Sequence, residues 1–177
     1  MLVLEATTLV ILVPEAESLV QTFREKYDHS AAAGMPAHIT LLYPFKHPDQ
    51  VNDFLVDDLR MLFSSHTRFQ FSLVSTRGFP GVLYLAPEPP VPFKKLTRAI
   101  ATQYPETPPY GGTFPDTVPH LTVAQRCSSE ELVSIEEEFS RVSAGRLPIH
   151  ATATEVCLME KRGGRWRNHT SFALAEG

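Results

Sequence analysis

Apolar and polar residues alternate along the chain in short blocks whose spacing predicts a protein of mixed helices and strands. Residues 9–13 are five consecutive aliphatic side chains, too short and too β-branched for a helix, so they predict a buried strand. Pro14 then opens a helix whose apolar positions recur at helical spacing as far as Tyr27. Residues 38–43 alternate between the two classes, as a half-buried strand does, until Pro44 ends the run.

A second helix and a pair of strands are predicted next. The apolar side of this helix is expected to contain Val51, Phe54, Leu55, Leu62 and Phe63. Residues 68–76 and 82–86 flank the turn residues 78–81, which predicts an antiparallel pair. A third helical stripe is formed by Phe93, Leu96, Ile100 and Tyr104.

The second half of the chain begins with a long loop and then repeats this order. Residues 105–119 are rich in proline and glycine and predict a surface loop. Residues 120–124 alternate as a strand does, and Ser128 with Glu131 forms a capping box that predicts the start of a helix. The inward side of that helix is expected to contain Leu132, Ile135, Phe139 and Val142.

The chain is expected to close with a hairpin. Residues 149–159 and 166–174 predict two strands joined through the turn 162–165. Basic side chains surround this turn and Trp166, namely Lys161, Arg162, Arg165 and Arg167. Such a cluster is either a phosphate-binding or nucleic-acid-binding patch or a well-solvated hairpin tip with its aromatic ring packed inward.

Each half of the chain therefore contains a helix, a His-x-Thr strand, a second helix and a pair of strands. This layout predicts an α+β fold over residues 1–177, a single domain of two intertwined lobes. Each lobe contributes one His-x-Thr strand, residues 38–41 and 120–123. A parallel βαβ arrangement is disfavoured because both strand pairs look like hairpins.

Composition and charge narrow the functional classes. The chain has 177 residues, 43% of them apolar, which is enough for a real core and too much for a disordered tail. A net charge of −4 argues against a protein that grips long nucleic acid through its phosphates. No apolar run is long enough to span a bilayer, and Cys127 and Cys157 lack metal-ligand spacing, so we expect a cytoplasmic protein with reduced thiols.

The candidate chemistry lies in the repeated His-x-Thr pattern. Side chains two residues apart on a strand share a face, so His38 and Thr40 point one way, as do His120 and Thr122. Two such strands can present two imidazoles and two hydroxyls to one cleft. This set suits in-line attack at phosphorus: a neutral imidazole takes a proton from water and a protonated one delivers a proton to the leaving oxygen. No metal or other cofactor is expected, because no cluster of ligands appears.

A third copy of the pattern, His150-Ala151-Thr152, needs a decision. Its intervening residues are alanines, which make a poor buried face, and it has no counterpart in the first half. The other two copies each follow a proline loop and lie 82 residues apart, close to half the chain. We therefore assign the chemistry to the first two copies.

The paired His-apolar-Thr-apolar motifs resemble those of the two-histidine (2H) phosphoesterase superfamily, and within it the bacterial 2′-5′ RNA ligase and cyclic phosphodiesterase proteins. The resemblance implies a bilobal, pseudo-twofold fold in which two antiparallel sheets line a central cleft and the helices lie outside. It also implies metal-free opening of 2′,3′-cyclic phosphates, with catalytic roles for His38, Thr40, His120 and Thr122. A binding role follows for Tyr43, and Arg126 corresponds to a basic residue after the second motif.

By analogy with this family, His120 is expected to be the base and His38 the acid, so that the product is a 2′-phosphate. The reverse reaction would join a cyclic phosphate to a 5′-hydroxyl. The expected partner is a nucleotide cyclic phosphate or an RNA end, and the protein is expected to be a monomer. Two alternatives are a binding module for such ends without turnover and, less favoured, a hydrolase using Cys127 or a serine as the nucleophile.

Overall fold

The computed structural model describes residues 4–112 and 116–177, and these form eight strands and five α-helices. The strands are β1 (Ala6–Leu12), β2 (His38–Leu42), β3 (Phe69–Phe79), β4 (Val82–Glu88), β5 (Leu121–Ala124), β6 (Ile149–Ala153), β7 (Glu155–Arg162) and β8 (Arg165–Ala173). The helices are α1 (Pro14–Tyr27), α2 (His29–Ala32), α3 (Asp53–Ser64), α4 (Val91–Gln103) and α5 (Ser129–Ser143). Two 3₁₀ turns lie at Pro48–Gln50 and Pro109–Gly112.

The strands form two antiparallel four-stranded sheets with the orders β2-β1-β7-β8 and β5-β4-β3-β6. The predicted α+β class, with two antiparallel sheets lining a central cleft and helices outside, is confirmed. β2 and β5 each lie at one edge of their sheet, so the His38 and His120 segments are at sheet edges, and β6, which contains the third copy, is the other edge of the second sheet. The division into two lobes of one domain stays a prediction.

The sheets do not follow the two halves of the sequence. The β3–β4 hairpin, from the first half, pairs with β5 of the second half, while the β7–β8 hairpin pairs with β1 at the beginning of the chain. Each sheet is therefore built from both halves, and neither half can complete its sheet alone. This exchange ties the two edge strands that carry the histidines into one unit.

Local sequence signals explain where the helices begin. Pro14 lies in the first turn of α1, with Glu15 and Glu17 beside it, where carboxylates complement the positive end of the helix. Ser128 and Glu131 form the reciprocal capping box that was predicted for α5. The four longer helices α1, α3, α4 and α5 each bury one face, and Phe23 of α1 meets Phe139 of α5 edge to face at 5.1 Å between ring centroids.

Several details of the sequence interpretation were wrong. Phe54 is 81% exposed, because the buried face of α3 runs through Leu55, Leu59 and Phe63 at helical spacing. Val142 is also exposed, because the apolar residues on the buried face of α5 are Ile135 and Phe139.

Three predicted boundaries also shift. Residues 149–159 are not one strand: β6 ends at Ala153 and β7 starts at Glu155, in the other sheet. β3 continues to Phe79, which shortens the turn before β4 to two residues. The predicted loop 105–119 contains a 3₁₀ turn, and its residues 113–115 lie outside the described residues.

Candidate active site

The six residues predicted for the site all line one cavity of about 300 Å³ between the two sheets. They are His38, Thr40, Tyr43, His120, Thr122 and Arg126. β2 supplies the first pair and the segment entering β5 supplies the second, and the alternation of each strand turns histidine and threonine to the same side. A cavity of this size is in the range of small-molecule sites.

The two imidazoles are held by the same local device. His38 Nδ1 lies 2.8 Å from the carbonyl oxygen of Pro36, and His120 Nδ1 lies 2.7 Å from that of Val118. A carbonyl can only accept, so each ring carries its proton on Nδ1 in the neutral state and turns the lone pair of Nε2 away from its own backbone. Within the described residues neither Nε2 has a hydrogen-bond partner, which leaves both free for a ligand.

Both histidines are driven toward the neutral form. The pKa of His38 is lowered to about 4, mainly by burial and next by the nearby Arg24 guanidinium, against the opposing effects of the Pro36 carbonyl and the Asp28 carboxylate. Burial also lowers the pKa of His120, against the opposing effect of the Val118 carbonyl. At neutral pH and without a ligand, both rings are therefore uncharged acceptors at Nε2.

A buried ion pair lies behind His38. Arg24 Nε and Asp28 Oδ2, one helical turn apart, are 3.1 Å apart, and both side chains are almost completely buried. The second oxygen of Asp28 accepts from the backbone N–H of Ser30 at 3.0 Å, from its hydroxyl at 2.8 Å and from Gln125 Nε2 at 2.6 Å. Both charges of the pair thus have hydrogen-bond partners, as the burial of two charges requires.

Gln125 extends this network to the other sheet. Its side chain binds Asp28, at the end of α1, and its backbone N–H donates to the carbonyl of Tyr27 at 2.9 Å. Gln125 directly follows β5, which carries Thr122. The contact therefore fixes the end of β5 against the end of α1.

Arg126 reaches the cavity by a route that the sequence argument did not foresee. A strand that continued past residue 124 would place Arg126 on the face of His120, but β5 ends at Ala124. Arg126 instead adopts a left-handed backbone conformation with φ 57°, which is unfavourable for a residue with a Cβ. The chain turns back at this point, and the guanidinium lines the cavity.

Aromatic rings border both sides of the cavity. His120 meets Phe79 and Tyr84 edge to face, each at 5.4 Å between centroids, and these two rings stack on one another at 4.5 Å. On the other side Tyr43 and Trp166 lie 6.4 Å apart. Phe79 and Tyr84 thus pack against the His120 ring and contribute to the burial that lowers its pKa.

The third His-x-Thr copy lies elsewhere. His150 and Thr152 are exposed on β6, and His150 Nδ1 lies 2.8 Å from Ser72 Oγ in a different surface cavity. Within residues 4–112 and 116–177, no three His, Cys, Asp or Glu side chains are grouped so that they could hold a metal ion. Over the same ranges, no helix is long and apolar enough to cross a bilayer, and both cysteines are free thiols.

Sequence reasoning missed several residues that shape the site. Asp28 and Gln125 line the cavity although no motif pointed to them, whereas Lys161 and Trp166, which also line it, belong to the basic hairpin cluster whose role the sequence left open. One signal was overlooked: Arg24 falls within the apolar stripe of α1, four residues after Val20, and a charge in such a position needs a buried partner. No comparable signal links Gln125 to Asp28, which lie 97 residues apart in the sequence.

Comparison with known proteins agrees with this geometry. A Bacillus pumilus (strain SAFR-032) protein named "Putative phosphoesterase" is 25% identical over 174 residues, 94% of this chain and 96% of that protein. The crystal structure of E. coli LigT complexed with 3′-AMP matches with a TM-score of 0.61 at 19% identity, covering 97% of this chain and 99% of LigT. The structure of TT0787 of Thermus thermophilus matches with a TM-score of 0.58 at 17% identity, covering 97% and 98%.

The two structural likenesses concern the fold, in agreement with two antiparallel sheets around one cleft. A family model matches the sequence itself, over residues 12–165, and this range includes the His38 and His120 segments and the whole of β7 in the final hairpin. The chain belongs to the 2′-5′ RNA ligase superfamily.

Proposed function

We propose that the protein is a metal-independent phosphoesterase that opens 2′,3′-cyclic phosphates of nucleotides or RNA ends to 2′-phosphates. The observation that carries this proposal is the pair of imidazoles in one cavity, each bound through Nδ1 to the carbonyl two residues before it. Two proton-transfer groups with free Nε2 atoms are what an in-line displacement at phosphorus needs.

The proposed step moves one proton in and one proton out. A neutral histidine takes a proton from water through Nε2 as the water oxygen bonds to phosphorus. The other histidine, protonated, gives its proton to the ribose 3′ oxygen as the P–O3′ bond breaks, so the product is a 2′-phosphate. Thr40 and Thr122 donate hydrogen bonds to the non-bridging oxygens, and the positive charge of Arg126 offsets the charge that develops there.

The roles of the two histidines follow the family analogy, with His120 as base and His38 as acid. The pKa of about 4 for His38 makes this ring a poor proton carrier in the empty cavity. An anionic phosphate between the rings raises the pKa of both, because it stabilises an imidazolium. His38 therefore gains its proton together with the substrate. If a 5′-hydroxyl takes the place of water as the nucleophile, the P–O3′ bond breaks in the same way and the product is a 2′-5′ linkage, which is the ligation.

Two findings on similar proteins support a nucleotide substrate. E. coli LigT has been crystallised with 3′-AMP, with NADP+ and with ATP, and each complex matches this fold over 97% of the chain. The Bacillus pumilus relative carries the name "Putative phosphoesterase". A cavity that accepts nucleotides and holds two histidines fits hydrolysis of a nucleotide phosphodiester.

The test compares the wild type with His38→Gln and His120→Gln on nucleoside 2′,3′-cyclic phosphates. Loss of either proton-transfer group is expected to lower kcat by about 10²- to 10⁴-fold. His150→Gln is the matched control, since it changes a histidine of the same motif outside the cavity, and it is expected to retain the wild-type rate.

Two outcomes contradict the proposal. Full activity in either cavity variant would remove that histidine from the mechanism. A wild-type protein that binds cyclic nucleotides tightly but does not turn them over would instead support a binding module for phosphorylated ends.

A further inference from the structure

Lys161 places a second positive charge in the cavity, on the sheet opposite Arg126. We propose that Lys161 binds a second phosphate of the substrate, attached at the 5′ position of the nucleotide whose cyclic phosphate lies between the histidines. This inference rests on the proposed function and specifies its substrate class: 5′-phosphorylated or chain-linked 2′,3′-cyclic phosphates, in preference to free nucleoside cyclic phosphates.

The position of Lys161 follows from the register of its sheet. Lys161 lies near the end of β7, paired with Ala6 of β1 on one side and with Trp166 of β8 on the other. Its side chain lines the same cavity as His38 and His120, and Nζ lies 5.9 Å from the centroid of the Trp166 ring. The ring holds the aliphatic arm and the ammonium at the wall of the cavity.

Lys161 differs from its neighbour in what balances its charge. Arg162 points to the other face of β7, as strand alternation requires, and pairs there with three carboxylates, those of Glu5, Asp49 and Glu160. In the described parts of the chain no carboxylate lies within 4.0 Å of Lys161 Nζ. These three carboxylates therefore pair with Arg162 on one face of β7, whereas Lys161, on the cavity face, has no carboxylate partner in the described residues.

The charge balance of the cavity indicates what the missing partner is. Arg126 lines the cavity after β5, and in the described residues it too lacks an ion pair, so the cavity offers two unneutralised cations on opposite walls. One cyclic phosphodiester brings a single negative charge. A second anionic group on the same molecule would balance the second cation, which stabilises a half-buried ammonium.

The chemistry of a nucleotide limits where that second anion can be. When the 2′ and 3′ oxygens form the cyclic phosphate, the ribose has one remaining phosphorylation site, the 5′ oxygen. A phosphate there is either a terminal phosphomonoester or the phosphodiester that continues an RNA chain. Both present the same anionic oxygens to an ammonium, so the experiment must separate them.

The kinetic test uses adenosine 2′,3′-cyclic phosphate, its 5′-phosphorylated form and the dinucleotide ending in the same cyclic phosphate. The wild type is expected to show a KM about tenfold lower for the two substrates that carry the extra phosphate, with similar kcat. Lys161→Met should remove this advantage, so that the three substrates have similar KM values in the variant. Lys161→Arg keeps the charge and should retain most of it.

Arg167→Met is the matched control, because Arg167 is an exposed cation on the same hairpin and does not line the cavity. An advantage confined to the 5′-monoester identifies a mononucleotide substrate, and one shared by the dinucleotide identifies an RNA end. Equal KM values for all three substrates in the wild type, or an equal loss on all three in Lys161→Met, would overturn the proposal.

A binding measurement separates this proposal from the proposed reaction. Isothermal titration calorimetry with adenosine 2′-phosphate and adenosine 2′,5′-bisphosphate needs no turnover, and the bisphosphate is expected to bind about tenfold more tightly to the wild type and equally to Lys161→Met. If the wild type hydrolyses no cyclic phosphate but this difference is found, the reaction is wrong and the second phosphate site stands. If the reaction is found without the difference, the site is wrong.

Discussion

The protonation of His38 makes a prediction about stability that does not depend on any substrate. The folded protein disfavours the imidazolium because the ring is buried beside the Arg24 guanidinium, and its pKa falls from 6.5 to about 4. In the unfolded chain the same ring keeps its ordinary pKa. Between these two values the unfolded state binds a proton that the folded state does not, so stability falls as the pH is lowered from 6.5 toward 4.

The magnitude follows from linkage between protonation and folding. The interval from pH 7.5 to 4.5 covers most of the range between the two pKa values. Protonation of a single ring then lowers the free energy of unfolding by about 2.5 kcal/mol over this interval. The ring is only partly buried, and water in the cavity screens part of this difference. We therefore expect His38 to contribute a loss of about 1–2.5 kcal/mol.

The assay is urea unfolding at pH 7.5 and 4.5, for the wild type and for His38→Gln. The variant cannot gain this proton, so its free energy of unfolding should fall by about 1–2.5 kcal/mol less than that of the wild type over the same interval. All carboxylates titrate in both proteins and cancel in the comparison. His66→Gln is the control, because it removes a partly buried histidine outside the cavity. The difference between this variant and the wild type in the loss of unfolding free energy is subtracted from the difference found for His38→Gln.

Equal losses in the wild type and His38→Gln would refute the reasoning, since they would mean that the ring is protonated as easily in the folded cavity as in water. A smaller loss in the wild type than in the variant would reverse the sign and require a nearby anion to dominate over burial. Either result would also remove the basis for treating His38 as neutral before the substrate binds.

Two further predictions concern the residues around β5. At Arg126, where φ is 57°, a glycine variant should be more stable than an alanine variant by about 1 kcal/mol in urea unfolding. Both variants should lose activity to the same extent. An alanine variant that is the more stable of the two would contradict the inferred backbone strain. Gln125→Met removes one hydrogen bond to the buried Asp28 and should lower the free energy of unfolding by about 1.5–3 kcal/mol. The exposed control Gln21→Met should lower it by less than about 0.5 kcal/mol. Equal losses in the two variants would show that the contact contributes nothing.

The elements that carry the chemistry could be predicted because their signals are local. His38 and Thr40, like His120 and Thr122, share a face through the alternation of a strand, and no distant residue is needed to decide it. The capping box of α5 is also contained in four consecutive residues. These short-range rules placed both motifs correctly, and the convergence of the two segments in one cavity followed from the similar order of elements in each half.

The remaining features depend on distant parts of the chain. The β3–β4 and β7–β8 hairpins each pair with a strand from the other half of the chain, β5 and β1 respectively. The pairing of β1 with β7 joins residues that are almost the whole sequence apart. Residues 149–159 were predicted as one strand, yet Thr154 separates strands of different sheets. A periodicity of two predicts a strand but not its partner.

The two histidines are equivalent in their own segments and unequal in their surroundings. Each ring is held by the same contact to a carbonyl two residues earlier, so local geometry alone would give both the same proton affinity. His38 additionally faces the buried Arg24–Asp28 pair, whereas His120 faces the rings of Phe79 and Tyr84. Burial lowers the pKa of both rings, and at His38 the charge of the Arg24 guanidinium acts in the same direction, so a bound anion is expected to raise the pKa of His38. In the proposed reaction the phosphate is that anion, which couples the protonation of His38 to substrate binding and lets two similar motifs divide acid and base roles that their sequences do not distinguish.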